Sequence, residues 1–130
     1  MPLFNKQIVA IDDALSIRTF LRISLQAQGA VFHEAATASS GLELCDKIKP
    51  DLVVLDLGLP DRDGLDILPE IKRLETNGHV PAVIILSVRK EQYTRDKAFA
   101  LGADAYVTKP FLMEDLVEVL HQKVEEVHQA

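Results

Sequence analysis

The chain has 130 residues, enough for one domain with a real core, and its 48% apolar and 26% charged composition is that of an ordinary globular protein. No apolar run approaches the ~20 residues that a membrane span needs, and residues 1–6 lack the layout of a signal peptide. A net charge of −6 argues against direct nucleic-acid binding, and the single cysteine, Cys45, cannot form an internal disulfide, so a cytoplasmic protein with no membrane contact is expected.

Residues 7–11 are a short β-branched run and read as a strand ending at Asp12-Asp13. Ile17, Leu21 and Leu25 then share a helical face, with Phe20 beside them, and Gly29 stops that helix as a left-handed cap. Residues 30–34 predict a second strand. Thr37 or Ser39 caps a helix carrying Leu42, Cys45 and Ile48, which Pro50 ends. Residues 51–55 predict a third strand, because the apolar run Leu52 to Leu55 bounded by turn signals suits burial on both faces. A turn marked by Gly58 and Pro60 closes at Asp63-Gly64. Leu65, Leu68, Ile71 and Leu74 predict a helix that Asn77-Gly78 ends. Residues 80–86 are β-prone, with Pro81 at the start where a missing donor is tolerated, and lead to Ser87. Residues 90–101 predict a weaker helix with Tyr93, Ala98 and Leu101 inside and Gly102 as its cap. Residues 105–107 predict a short strand running into Thr108-Lys109-Pro110. Leu116, Leu120, Val124 and Val127 define a last helix, with Glu114 and Asp115 in the first turn, where the helix dipole favours them.

Five consecutive βα units, with no repeat or linker, imply a single α/β domain over residues 1–130: a doubly wound five-stranded parallel sheet with helices on both faces. Right-handed crossovers place every strand's carboxyl end on one edge, where open sheets of this kind bind ligands. The polar residues at those ends are Asp12-Asp13, Asp56, Ser87 and Lys109. Each has an ordinary reading: Asp12-Asp13 or Ser87 as a helix cap, Asp56 as a turn residue, Lys109 as a surface lysine. Their coincidence at successive strand ends argues against four ordinary readings at once. Carboxylates crowded at one edge raise the pKa of at least one unless a cation relieves them. A hard divalent ion such as Mg²⁺ takes oxygen ligands, a lysine supplies a point charge for a phosphoryl oxygen, and a serine hydroxyl donates to another. Phosphoryl transfer to an oxygen nucleophile requires such a set, and a carboxylate can be that nucleophile. On the residues alone, Asp56 is nucleophile, metal ligand or turn cap.

Four motifs together resemble the response-regulator receiver domain of two-component signalling over nearly the whole chain. They are Ile11-Asp12-Asp13, Asp51-Leu-Val-Val-Leu-Asp56-Leu-Gly-Leu-Pro60 with Asp63-Gly64, Ile85-Leu86-Ser87, and Gly102-Ala-Asp-Ala-Tyr106-Val-Thr-Lys109-Pro110-Phe111. The Asp-Leu-Gly-Leu-Pro wording is particularly like the potassium-operon regulators. The resemblance implies a flavodoxin-like strand order of 2-1-3-4-5. It implies that Asp56 accepts a phosphoryl group from a phosphohistidine on a sensor histidine kinase or phosphotransfer protein. It implies Mg²⁺, with Mn²⁺ as a substitute, held by Asp13, Asp12, Asp56 and the backbone carbonyl of Gly58. Lys109 contacts the phosphoryl group and its bond to Pro110 is cis, while Ser87 and Tyr106 switch on activation. The output surface is the fourth helix, fifth strand and fifth helix, about residues 90–128. Such a domain signals and is not an enzyme, although it promotes its own phosphorylation and dephosphorylation.

Three departures from the family pattern involve four positions. Val88 stands where a small residue usually follows the switch hydroxyl, and it narrows access to Asp56. Ala14 follows the acidic pair where many members carry Glu. Ala105 and Val119 replace the acid and the arginine that pair across a dimer in winged-helix members, so a stand-alone receiver, or one cut from a protein with another kind of output, is expected. A haloacid-dehalogenase-type phosphatase needs a second Asp two residues after the nucleophile, and Gly58 occupies that position. A flavin-binding module needs a hydroxyl-rich phosphate loop where Asp12-Asp13-Ala14 stands. A degenerate receiver that only binds proteins is supported by Val88 alone. His33, His79, His121 and His128 read as ordinary surface or edge residues.

Overall fold

The β-branched runs and the amphipathic stretches between them fold as five alternating pairs. The computed structural model describes residues 2–74 and 78–129. The order is β1 (Gln7–Ile11), α1 (Leu15–Ala27), β2 (Val31–Ala35), α2 (Ala38–Ile48), β3 (Leu52–Leu55), α3 (Gly64–Lys72), β4 (Ala82–Ser87), α4 (Gln92–Ala100), β5 (Ala105–Thr108) and α5 (Met113–Gln129). All strands are parallel, in the order β2-β1-β3-β4-β5. This is the doubly wound, flavodoxin-like α/β arrangement expected.

Side chains alternate across the pleat and build two cores. Val9, Ile11, Val53, Leu55, Val83 and Ile85 meet Cys45, Ile67, Leu68, Ile71 and Ala98 of α2, α3 and α4 on one face. Ile8, Ala10, Leu52, Val54, Ile84 and Leu86 meet Leu21, Leu25, Leu116, Leu120 and Val124 of α1 and α5 on the other. Burial pushes the Cys45 thiol up to about 12, so it acts as a small apolar side chain. Leu3, which no periodicity marks, is fully buried under α1; its turn is pinned by the Asn5 amide donating to the Gly29 carbonyl (2.9 Å). At the amino ends of the strands, Asp51 accepts from the Gln7 amide (2.8 Å) and Asp104 from the Val83 amide (2.8 Å), so two carboxylates satisfy backbone donors that the ladder leaves over.

The helix stops follow the sequence signals with local shifts. Thr37 caps α2 in a reciprocal box with Ser40, Lys49 ends it at φ 55°, and Gly29 and Gly102 carry positive φ after α1 and α4. Helix α3 ends at Lys72, so Leu74 packs on the core from outside the helix, and Asn77 lies outside the described residues, as does the side chain of Val127. Tyr93 corrects the expected inner face of α4, because it is 76% exposed. It stands five residues from buried Ala98, about 140° around the helix at 100° per residue, whereas Leu101 lies on the Ala98 side. The helix is polar around most of its circumference, which is why its pattern misleads. His33 bonds Gln7 at the β2 edge (2.8 Å) and His79 lies 3.5 Å from Asp51, but His79 and His121 both differ from plain surface residues in that their Nε2 atoms are shielded from solvent.

Gly64 has a steric reason unrelated to φ. A Cβ there would sit 2.5 Å from the Asp56 carbonyl oxygen and 2.7 Å from the Leu57 Cα, backbone atoms that cannot swing aside. Gly64→Ala is expected to destabilise the domain by about 1–3 kcal/mol. At Gly58 a Cβ meets nothing within 4 Å, so Gly58→Ala stays within about 0.5 kcal/mol of wild type. Paired urea melts test this, and equal losses for the two variants would refute it.

Candidate active site at the carboxyl edge of the sheet

The strand register assembles the site. Ile11 pairs with Leu55, and Ser87 with Thr108, so the residues just after or closing these strands emerge side by side. The Asp56 amide donates to the Ile11 carbonyl (2.9 Å) and the Lys109 amide to the Ser87 carbonyl (2.8 Å), carrying the ladder one residue past each strand end. Asp12, Asp56 and Ser87 are buried, whereas Asp13 is exposed. One carboxylate oxygen from each of Asp12, Asp13 and Asp56 lies within 4.8 Å of the others. The Lys109 ammonium reaches in from β5, 2.8 Å from Asp12 Oδ2 and 3.7 Å from Asp56 Oδ2. The peptide bond from Lys109 to Pro110 is cis.

Burial holds the Asp56 carboxyl above the usual carboxylate range, and the negative charge of Asp12 adds to this; Lys109 and the amides of Gly58 and Leu57 pull back. The backbone contact is weak, the Gly58 amide standing 3.4 Å from Asp56 Oδ1. Asp12 is held more firmly, its Oδ1 accepting from the Ala14 amide at 2.9 Å. Three acids against one lysine leave the cluster short of positive charge, and an all-oxygen donor set of this kind fits a hard divalent cation.

The sequence-predicted residues divide by position. Asp12, Asp13, Asp56 and Lys109 meet directly. Ser87 closes β4 beside them, its Oγ accepting from the Arg89 amide at 3.2 Å. Gly58 belongs to the β3–α3 loop, bridged to Asp63. Tyr106 is turned inward on β5, its hydroxyl donating to the Arg89 carbonyl at 2.6 Å, with the Arg95 guanidinium 5.1 Å from the ring centroid. Val88 is 69% exposed and lines an apolar groove of about 360 Å³ with Ile17, Phe20, Lys109, Pro110 and Phe111. Phe20 thus stands at the rim of this groove, its ring 6.1 Å from that of Phe111.

Three supports escaped the sequence reading. Arg18 donates to the Asp12 carbonyl (2.8 Å) and is itself held by Glu34 (2.9 Å). Burial pushes Glu34 up, but Arg18 and Arg22 together hold it below the usual carboxylate range. Asp61, on the β3–α3 loop, accepts from the Ala38 and Ser39 amides (2.8 and 2.9 Å), and those bonds pull its carboxyl low. Arg89 pairs with Asp63 at 2.9 Å. Apart from the Arg18–Asp12 contact, six residues apart, the partners named lie 16 to 26 residues away along the chain, beyond any local spacing rule.

Residues 8–121 match the family model described as the response regulator receiver domain. The KDP operon transcriptional regulatory protein KdpE of Escherichia coli is 39% identical over 109 residues, covering 84% of this chain and 47% of that protein. The chemotaxis protein CheY of Halobacterium salinarum is 31% identical over 115 residues, covering 88% of this chain and 93% of that protein. The crystal structure of a CheY-like receiver domain protein from Methanospirillum hungatei superposes with a TM-score of 0.90 at 27% identity, covering 96% of this chain and 98% of that one. The chain spans about half the length of the KdpE relatives it matches. Within the described residues, no helix is long and apolar enough to cross a membrane. The match to the family model and the relatives above 30% identity together show that this chain belongs to the receiver-domain family of two-component response regulators.

Proposed function

We propose that the domain is a phosphorylation switch in which Asp56 takes a phosphoryl group from a phosphohistidine of a sensor histidine kinase or a phosphotransfer protein. The observation that carries this reading is the gathering of three carboxylates within 4.8 Å, with Lys109 between Asp12 and Asp56, at the ligand-binding edge of a doubly wound sheet. An Asp56 carboxylate oxygen attacks phosphorus. The bond between phosphorus and the imidazole nitrogen breaks, a phosphorus–oxygen bond forms, and the electron pair leaves with the imidazole. Lys109 is placed to exchange its carboxylate partners for a phosphoryl oxygen, and the Ser87 hydroxyl to donate to another. Asp12, Asp13, Asp56 and the Gly58 carbonyl would hold Mg²⁺, or Mn²⁺ in its place. Bound there, such an ion neutralises the carboxylates and draws charge from the phosphoryl oxygens.

The exposed apolar groove of Ile17, Phe20, Val88 and Phe111 adjoins Lys109, which suits a donor protein pressing its histidine towards Asp56. The message leaves through α4, β5 and α5 towards an output domain or effector. Ala105 and Val119 both pack partly against the sheet core, so neither offers the charge that pairs winged-helix receivers. That absence and the net charge of −6 favour an effector other than nucleic acid for this domain.

The first test is intact mass after incubation with Mg²⁺ and a small phosphoryl donor. Wild type gains ~80 Da and Asp56→Asn gains nothing, as transfer to a single carboxylate requires. No gain with any donor would point instead to a phosphorylation-independent binding module. The second concerns Val88. Val88→Ala is expected to take phosphoryl from small donors roughly two- to tenfold faster, up to about 1.4 kcal/mol of barrier. Equal time courses would show that Val88 does not narrow the entrance.

The third test uses pH. The folded-state pKa of Asp56 lies above its unfolded value, so its contribution to stability is complete below the unfolded pKa and is lost as pH rises through the folded one. Without divalent cations, Asp56→Asn is therefore more stable than wild type at neutral pH, by a few degrees in Tm. The difference closes as pH falls towards about 4, the ordinary aspartate value. Mg²⁺ raises the Tm of wild type more than that of the variant. Parallel melting curves across pH would contradict the electrostatic conflict at this site.

A further inference from the structure

We infer that Arg89 is a positioning residue that ties the acceptor loop to the switch loop, its side chain holding the first and its backbone the second. This deepens the proposed switch and rests on that reading. The guanidinium pairs with Asp63 at 2.9 Å and donates a longer bond to the Leu57 carbonyl at 3.5 Å. Both partners belong to the loop after Asp56, and Asp63 also caps α3 through the Leu65 amide at 2.9 Å. The Arg89 amide donates to Ser87 Oγ, and its carbonyl accepts from the Tyr106 hydroxyl. One residue thus joins the segment carrying the acceptor, the switch hydroxyl and the inward tyrosine.

The geometry makes the side chain the anchor. The turn from Ser87 to Gln92 is exposed through Val88 to Gln92 except at Arg89, and the helix after it buries only Ala98. Without the Asp63 pair, little else in that turn fixes the carbonyl that Tyr106 meets. Both partners are about one-third exposed, 33% and 39%, so the pair tilts an equilibrium by roughly two- to fivefold and does not lock it. A graded latch suits a device that has to open.

Tyr106 reports the latch without any phosphoryl chemistry. Burial raises its phenol above the ordinary range, while Ser87, Arg89 and Arg95 pull it down and Glu91 pushes it up. If Arg89 acts only as a nearby charge, removing it lets the Tyr106 pKa rise further. If Arg89 holds the carbonyl in place, removing it frees the ring into solvent, and the pKa falls towards the ordinary tyrosine value. The two roles therefore predict opposite signs.

The experiment is an ultraviolet phenolate titration of unphosphorylated protein in a Tyr93→Phe background, where Tyr106 is the single tyrosine left. Arg89→Ala and Asp63→Asn are both expected to lower the Tyr106 midpoint; the asparagine keeps a side-chain oxygen for the α3 cap. Arg89→Lys is expected to restore much of the shift. The double variant should match the larger single effect, since both break one contact. A rise or no change in Arg89→Ala, with far-ultraviolet circular dichroism confirming the fold, would overturn the inference. Intact mass after phosphorylation, measured on the same proteins, judges the acceptor reading separately: a wild type that takes no phosphoryl group fails that reading and leaves the titration result standing on its own.

Discussion

The whole structure turns on an electrostatic conflict. Asp12 and Asp56 are both buried at the end of adjacent strands, and burial together with the negative charge of Asp12 penalises the ionisation of Asp56. A lone lysine bridges them and cannot neutralise Asp13 as well. Two opposing carboxylates cannot relax apart, because the parallel register that spaces them is continuous with the hydrophobic core on both faces. Separating them would mean slipping a strand and turning its apolar residues the wrong way. The fold therefore spends stability to keep acids together, and what relieves them, a cation or a phosphoryl group bridged by one, gains binding energy from the same conflict.

The supports around the site show how that conflict is kept in place. Arg18 fixes the Asp12 backbone from α1, with Glu34 orienting the guanidinium from β2. Asp61 fastens the β3–α3 loop to the amino end of α2, and Gly64 lets α3 begin directly against the Asp56 backbone. The loop thus has separate attachments to α2, to α3 and, through Arg89, to the loop after β4. In the proposed switch, a change at Asp56 would reach the output side through the last of these.

Much of this was legible in the chain because it depends on local rules. Alternating βα units fix a doubly wound sheet, and strand-end polar residues then fall on one edge whatever their sequence separation. Topology alone brings Asp12, Asp13, Asp56 and Lys109 together at that edge, with Ser87 beside them. The missed features share the opposite property. Arg18, Asp61 and Arg89 act through partners chosen by tertiary packing, and a surface arginine or aspartate carries no periodic signature. Leu3 was missed because a single buried residue in a turn has no period. Tyr93 was misplaced for a related reason, since a helix with one small buried residue gives too weak a pattern to fix which way its aromatic points.

That same weakness in α4 is physically useful in the proposed switch. Helices α1 and α5 each commit fully buried leucines to the sheet, and each such side chain is worth about 1.5–3 kcal/mol. Helix α4 commits Ala98, with the Arg95 side chain lying over Tyr106 as a further link. Moving α1 or α5 would expose two such side chains, a cost comparable to the whole of the about 5.5 kcal/mol that reverses a two-state population from 1:99 to 99:1. Moving α4 costs less, since its anchor is small and the turn before it is held chiefly by an ion pair whose partners are about one-third exposed. In the proposed switch, a local change of charge at Asp56 would therefore act on a helix whose packing is light enough to answer it.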